Sequence, residues 1–132
     1  MYLLDTDTCI HILRGNVRVL DVVQRNREER IGVSLMSLYE LELGVLKATQ
    51  WKERKRLSLD NLKKEFSIIP FDETEMQSSA RVRASLEALG SPTGSIDYLI
   101  AGTALAHDLT VVTGNEKEFK KVEGLRIENW IR

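Results

Sequence analysis

Acidic residues recur in this chain where a short apolar run gives way to a helix-like stretch. Asp5 follows Tyr2-Leu3-Leu4, and Glu40 comes soon after Ile31-Gly32-Val33. Asp97 opens the stretch Ile96 to His107, and Asn115 with Glu118 follows Leu109 to Thr113. Carboxylates gathered in one place repel each other unless a cation joins them, and a divalent metal is the usual solution. Hard oxygen donors suit Mg²⁺, with Mn²⁺ an alternative, and the chemistry of such a centre is metal-assisted hydrolysis. Zinc is poorly matched, since His11 and His107 are the only histidines and stand far apart without Cys/His ligand spacing. Nucleophilic catalysis lacks its parts as well: Cys9 has only His11 nearby as a base, and no G-x-S-x-G is present.

Bringing these residues together requires a fold that collects distant chain segments at one edge. The pattern alternates strand and helix. Strands are expected at Tyr2–Leu4, Arg30–Ser34, Ser67–Pro70, Leu109–Thr113 and around Arg126–Glu128. Helices are expected at Thr8–Arg14, Val17–Arg27, Leu38–Lys47, Trp51–Glu65, Thr74–Leu89, Ile96–His107 and near Glu116–Lys120, with a loop over residues 90–95. Such alternation implies right-handed βαβ units and a parallel sheet covered on both faces. In an open sheet of this kind ligands bind in the crevice at the carboxyl ends of the strands, where the acids lie.

Each candidate also has an ordinary structural explanation. Ser37 and Glu40 form S-x-x-E, the spacing of a capping box, and Asn115 with Glu118 has the same spacing. Asp5 can cap the helix after the first strand, and Asp97 fits the first turn after a Ser95 cap. The two readings are compatible, because helix N-termini at strand ends are where the crevice lies. Glu42 rivals Glu40, since both flank a face made by Leu38, Leu41, Val45 and Ala48. Gly44 favours Glu40, because it lies one turn beyond on the same side and leaves that carboxylate unshielded. Ala101 and Ala104 share the side of Asp97 and permit close packing beneath it.

With 132 residues, 42% hydrophobic and 30% charged, the chain has the size and composition of one soluble globular domain over residues 1–132. No apolar run approaches the ~20 residues needed to span a membrane, and the first residues have no export-signal pattern. A single cysteine rules out an internal disulfide, and the expected compartment is the cytoplasm. Net charge is −1, yet Lys47, Lys52, Arg54, Lys55, Arg56, Lys63 and Lys64 crowd one segment against Glu53 and Asp60. Basic residues flanking an acidic metal centre suit a phosphodiester substrate, and Lys47, Lys52, Arg54, Lys55 and Arg56 are candidates for contacting RNA.

LLDTDTCI at 3–10, SLYELELGV at 37–45, PTGSIDYLIAGTALAHDLTVVTGNEKEF at 92–119 and LRIENW at 125–130 together resemble PIN-domain ribonucleases. Within them the match is to the VapC-type toxins of toxin–antitoxin pairs, and it spans essentially the whole chain. The resemblance implies an α/β fold, a three-layer αβα sandwich with a central parallel sheet, and a Mg²⁺-dependent endoribonuclease. It places the family's acids on Asp5, Glu40 and Asp97, as metal ligands and catalytic groups. The fourth position falls on Asn115, where many relatives carry Asp, so Glu118 is a candidate substitute. Thr113 and Thr6 correspond to supporting hydroxyls, and Asp7 stands where the family often has Asn. Implied partners are an RNA substrate, a cognate antitoxin and a second copy of the chain, within a larger toxin–antitoxin assembly.

Two rivals belong to other classes. Asp5-Thr6-Asp7 after an apolar strand resembles the start of haloacid-dehalogenase-type phosphohydrolases, with Asp5 as nucleophile. Against that family, Cys9 stands where Thr is usual and Gly114-Asn115 replaces a late acidic pair. The other rival is a phospho-acceptor domain or a catalytically silent PIN-like interaction module, to which the missing fourth acid would be suited.

Overall fold

A computed structural model describes residues 1–132. Its strands are β1 (Tyr2–Leu4), β2 (Ile31–Ser34), β3 (Ser67–Ile69), β4 (Thr110–Val112) and β5 (Ile127–Glu128). Its helices are α1 (Thr6–Leu13), α2 (Val17–Arg25), α3 (Leu35–Lys47), α4 (Lys52–Glu65), α5 (Glu73–Ala88), α6 (Ser95–His107) and α7 (Glu116–Phe119). The strands form one sheet in the order β3-β2-β1-β4-β5, and every pairing is parallel.

Alternation along the pleat sorts the apolar residues into two cores, one on each face. Leu4, Val33 and Val112 pack with Cys9, Val19, Leu38, Leu41, Leu59 and Leu62 from the α1–α4 side. Leu3, Ile69 and Val111 pack with Val82, Leu86, Ile100, Ala101 and Phe119 from the α5–α7 side. The expected three-layer αβα sandwich is thus the observed one. Gly32 serves a packing purpose in it: a Cβ there would lie 2.8 Å from Ile69 Cγ1, so the missing side chain makes room for the neighbouring strand's isoleucine.

Helices α5 and α6 approach more closely still. A Cβ on Gly102 would lie 2.4 Å from Ser79 Cα, and the Ser78 hydroxyl donates to the Gly102 carbonyl at 2.6 Å. Near the far end of this pair, Glu75 accepts the Asp72 N–H at 2.7 Å and contacts His107 Nε2 at 2.7 Å. Those two partners, the backbone N–H first, hold the Glu75 carboxyl below the usual carboxylate range.

Five local expectations are corrected. Helix α1 begins at Thr6, directly after its Asp5 cap. Helix α3 springs from the end of β2 with Ser34 as its cap, so Ser37 and Glu40 are interior helical residues and form no capping box. Gly94, not Ser95, precedes α6, and Asn115 precedes α7 without any side-chain cap. Ala48 terminates α3 only half-buried, so the core face of that helix is Leu38, Leu41 and Val45.

Candidate active site

Strand β1 lies between β2 and β4, so chain order reverses at its carboxyl end and the flanking connections diverge there. Asp5 occupies that point. It accepts the Thr8 N–H at 2.8 Å while its own N–H donates to the Val112 carbonyl at 3.0 Å, which fixes the residue to both α1 and β4. Asp5 is buried, and burial raises its pKa; Thr113 and the Thr8 N–H favour the charged form and offset part of the rise. The neighbouring Asp7 charge pushes it up further.

Glu40 reaches the same crevice from α3. The Thr6 hydroxyl contacts Glu40 Oε1 at 2.6 Å and Ser37 Oγ at 3.1 Å, tying the start of α1 to the middle of α3. Asp97 arrives from the first turn of α6, where Thr93 Oγ1 donates to Asp97 Oδ2 at 3.4 Å. Its pKa is raised chiefly by burial, then by the charges of Asp5, Glu40 and Glu118. Asp97 therefore feels the acids of three other chain segments. Contributions from four separate chain segments converge.

Glu118 joins from α7 but already has partners. Lys121 Nζ stands 3.0 Å from it, and Thr93 followed by Lys121 holds its carboxyl below the usual range. Thr113 Oγ1 accepts the Asn115 N–H at 2.8 Å, so this hydroxyl shapes the turn after β4 while facing Asp5. The Asn115 side chain is exposed and makes no cap. Asp7 is also exposed and points toward Gly114 and His11, on the opposite flank of α1 from Glu40. No three carboxylate, imidazole or thiol side chains are grouped to hold one ion among them unaided.

The choice between Glu40 and Glu42 is made by a residue on another helix. Arg56 of α4 grips both oxygens of Glu42, one through Nη1 at 2.7 Å, and so turns that carboxylate away from the crevice. The same contact engages Arg56. Among the basic candidates, Arg54 and Lys55 line a groove with Thr6, Glu40 and Gly44, whereas Lys52 donates to the Leu46 carbonyl at 3.1 Å and Lys47 ends α3. Cys9 is fully buried and burial pushes its thiol up, so it has no nucleophilic role.

Thr93 and Lys121 were not among the sequence candidates. Thr93 stands four residues before Asp97, the only sequence hint of its contact; Lys121 reaches the region through tertiary packing alone. Arg14, one of a second run of arginines with Arg18, Arg25, Arg27 and Arg30, lines the groove beside Glu40.

A family model described as "PIN domain" matches residues 2–125. The chain is 34% identical to ribonuclease VapC2 of Rickettsia felis, over 98% of both chains. It is 30% identical to the tRNA(fMet)-specific endonuclease VapC of Shigella flexneri, over 98% of this chain and 97% of that one. Among solved structures, the VapBC2 complex of Rickettsia felis bound to a promoter DNA fragment matches with a TM-score of 0.92 at 32% identity, covering 98% of each chain. DNA-bound VapBC of Salmonella typhimurium matches with the same TM-score of 0.92 at 31% identity, over 98% of this chain and 97% of that one. A parallel sheet in the order β3-β2-β1-β4-β5, acids converging at its switch point and similarity along the whole chain all agree: the chain belongs to the PIN-domain family, among its VapC ribonucleases.

Proposed function

We propose that this protein is a divalent-metal-dependent endoribonuclease, the toxin of a toxin–antitoxin pair, which cuts RNA phosphodiester bonds and so arrests translation and growth. The observation that carries the reading is the meeting of Asp5, Glu40, Asp97 and Glu118 at the switch point of the sheet, where the pKa of Asp97 is raised first by burial and then by the other three charges. That mutual repulsion, in a set of hard oxygen donors, fits Mg²⁺ or Mn²⁺. Asp5 and Asp97 would hold the ion, with Glu40 nearby and water filling the remaining positions. When bound, such an ion supplies an activated water and neutralises charge on the phosphate.

The chain's own groups do the rest. The Thr8 N–H and the Val112 carbonyl hold Asp5 in one orientation, and Thr6 orients Glu40. Thr93 steadies Asp97 beside the Pro92–Gly94 loop. Lys121 restrains Glu118, which together with the neutral Asn115 leaves the fourth position weak.

By analogy with the VapBC complexes, the partner is a cognate antitoxin, alongside a second copy of the chain. No helix is long and apolar enough to cross a membrane, and a cytoplasmic location is the one that suits an RNA substrate. Membership of the PIN-domain family counts against the phosphohydrolase, and relatives named as an endonuclease and a ribonuclease count against the silent module. The test is cleavage of total RNA by the purified chain with Mg²⁺ or Mn²⁺ and with EDTA. Metal-dependent cutting that the neighbouring antitoxin suppresses is the expected result. Turnover of p-nitrophenyl phosphate without RNA cleavage would overturn the reading.

A further inference from the structure

The groove beside Glu40 ends at Trp51, whose conformation nothing within the chain explains. Its backbone lies in the left-handed region, φ 58°, ψ 28°, a genuine outlier for a bulky side chain. As the residue before α4 it makes no side-chain cap bond. The side chain remains 68% exposed, so little apolar burial offsets the backbone cost. Arg54 lies over the ring with its guanidinium carbon 5.9 Å from the centroid. Trp51, Arg54, Lys55 and Arg14 line one groove of about 600 Å³ together with Thr6 and Glu40. An exposed aromatic ring, three cations and Glu40 of the acidic centre thus line a single groove, beside the apolar Ile10, Leu13, Leu41 and Val45.

We infer that Trp51 is a stacking platform for a nucleobase of single-stranded RNA, with Arg54, Lys55 and Arg14 holding the adjoining phosphates on the path to the acidic centre. Stacking on an exposed aromatic is available to any unpaired base and closed to a base inside a duplex. The three cations match the phosphates of a polyanion. An arginine over the ring adds cation–π attraction and a second planar surface. The substrate class is therefore single-stranded or looped RNA. This inference rests on the ribonuclease reading and adds to it where the strand lies.

Binding is measured on the full chain carrying Asp97→Asn, so that the RNA stays intact. The probe is a labelled, unstructured oligoribonucleotide of about 12 nucleotides, compared with the same strand in a duplex. Trp130, the only other tryptophan, is 4% exposed, so quenching of tryptophan emission by the single strand reports on Trp51. Replacing Trp51 with glycine removes the ring and suits the left-handed backbone, so Trp51→Gly should melt no lower than its parent. We expect Trp51→Gly to weaken single-strand binding about tenfold and Trp51→Phe to restore most of it, with duplex affinity unchanged. Arg54→Ala and Lys55→Ala should each lower the salt dependence of binding by about one ion.

Unchanged single-strand affinity in Trp51→Gly would overturn the assignment. So would a variant that keeps RNA affinity but loses the antitoxin, which would make the groove a peptide dock. If the chain with Asp97 intact neither binds nor cuts RNA, the ribonuclease reading itself fails.

Discussion

Asp5 serves two purposes with one carboxylate: it caps α1 and forms the centre of the acid cluster. Asparagine keeps the oxygen that accepts the Thr8 N–H and removes the buried charge, whereas alanine removes both. Asp5→Asn should therefore be inactive on RNA yet at least as stable as the parent. Asp5→Ala should be inactive and should lose about 1 kcal/mol of capping, partly offset by relief of the buried charge. Thermal melts of the pair separate the two effects; equal loss of stability in both would place the Asp5 charge among the stabilising interactions. A parallel contrast applies on α3. Glu40→Ala should abolish cleavage, whereas Glu42→Ala should cut RNA normally, since it only releases a solvent-screened Arg56 pair outside the crevice. Activity surviving in Glu40→Ala would move that residue out of the centre.

At the scale of elements, the packing of α6 decides where Asp97 sits. Gly102 lets α6 lie against Ser78 and Ser79 of α5, with no space for even one methyl group. Gly102→Ala should force the helices apart and cost about 1–3 kcal/mol, despite alanine's higher helix propensity. Cleavage should fall too, as Asp97 shifts with its helix. A denaturant titration checks the first claim, and a variant as stable as the parent would refute it. This contact also marks a limit of reading from sequence. Asp5 and the sheet were legible because apolar runs ended at helix starts, and Asp97 because it opens a helix after the loop over residues 90–95. Gly102 resembled any small helical residue, since its purpose lies on a helix 24 residues away. Ser37-x-x-Glu40 looked like a cap because the sequence does not show that α3 leaves β2 without a loop, with Ser34 taking that place. Glu42 could be set aside only once Arg56 was seen to hold it.

For the molecule as a whole, the acid cluster is a net cost in the absence of a cation, since burial and mutual repulsion oppose ionisation of both Asp5 and Asp97. An ion that binds only the folded chain should raise the melting temperature, by about 2.7 kcal/mol of added stability at a hundredfold excess over its Kd. Mg²⁺ and Mn²⁺ should each produce the shift, and Asp97→Asn should abolish most of it. A shift of equal size in that variant would place the ion elsewhere. The neutral Asn115 and the Lys121-bound Glu118 make the site weak in formal charge, so Asn115→Asp should enlarge the shift.

The position of β1 also governs when this protein first becomes dangerous during its own synthesis. Of the five strands, β1 is made first and becomes the middle of the sheet, and its partner on one side, β4, follows more than a hundred residues later. Until then Leu3 and Leu4 have one bare edge, Asp5 has no Val112 carbonyl to bond, and Thr113 does not yet exist as part of the site. Contacts so distant in sequence form late and slowly. A chain interrupted before β4 should therefore lack the assembled acid site and leave RNA uncut, which a truncation ending before Thr110 would test.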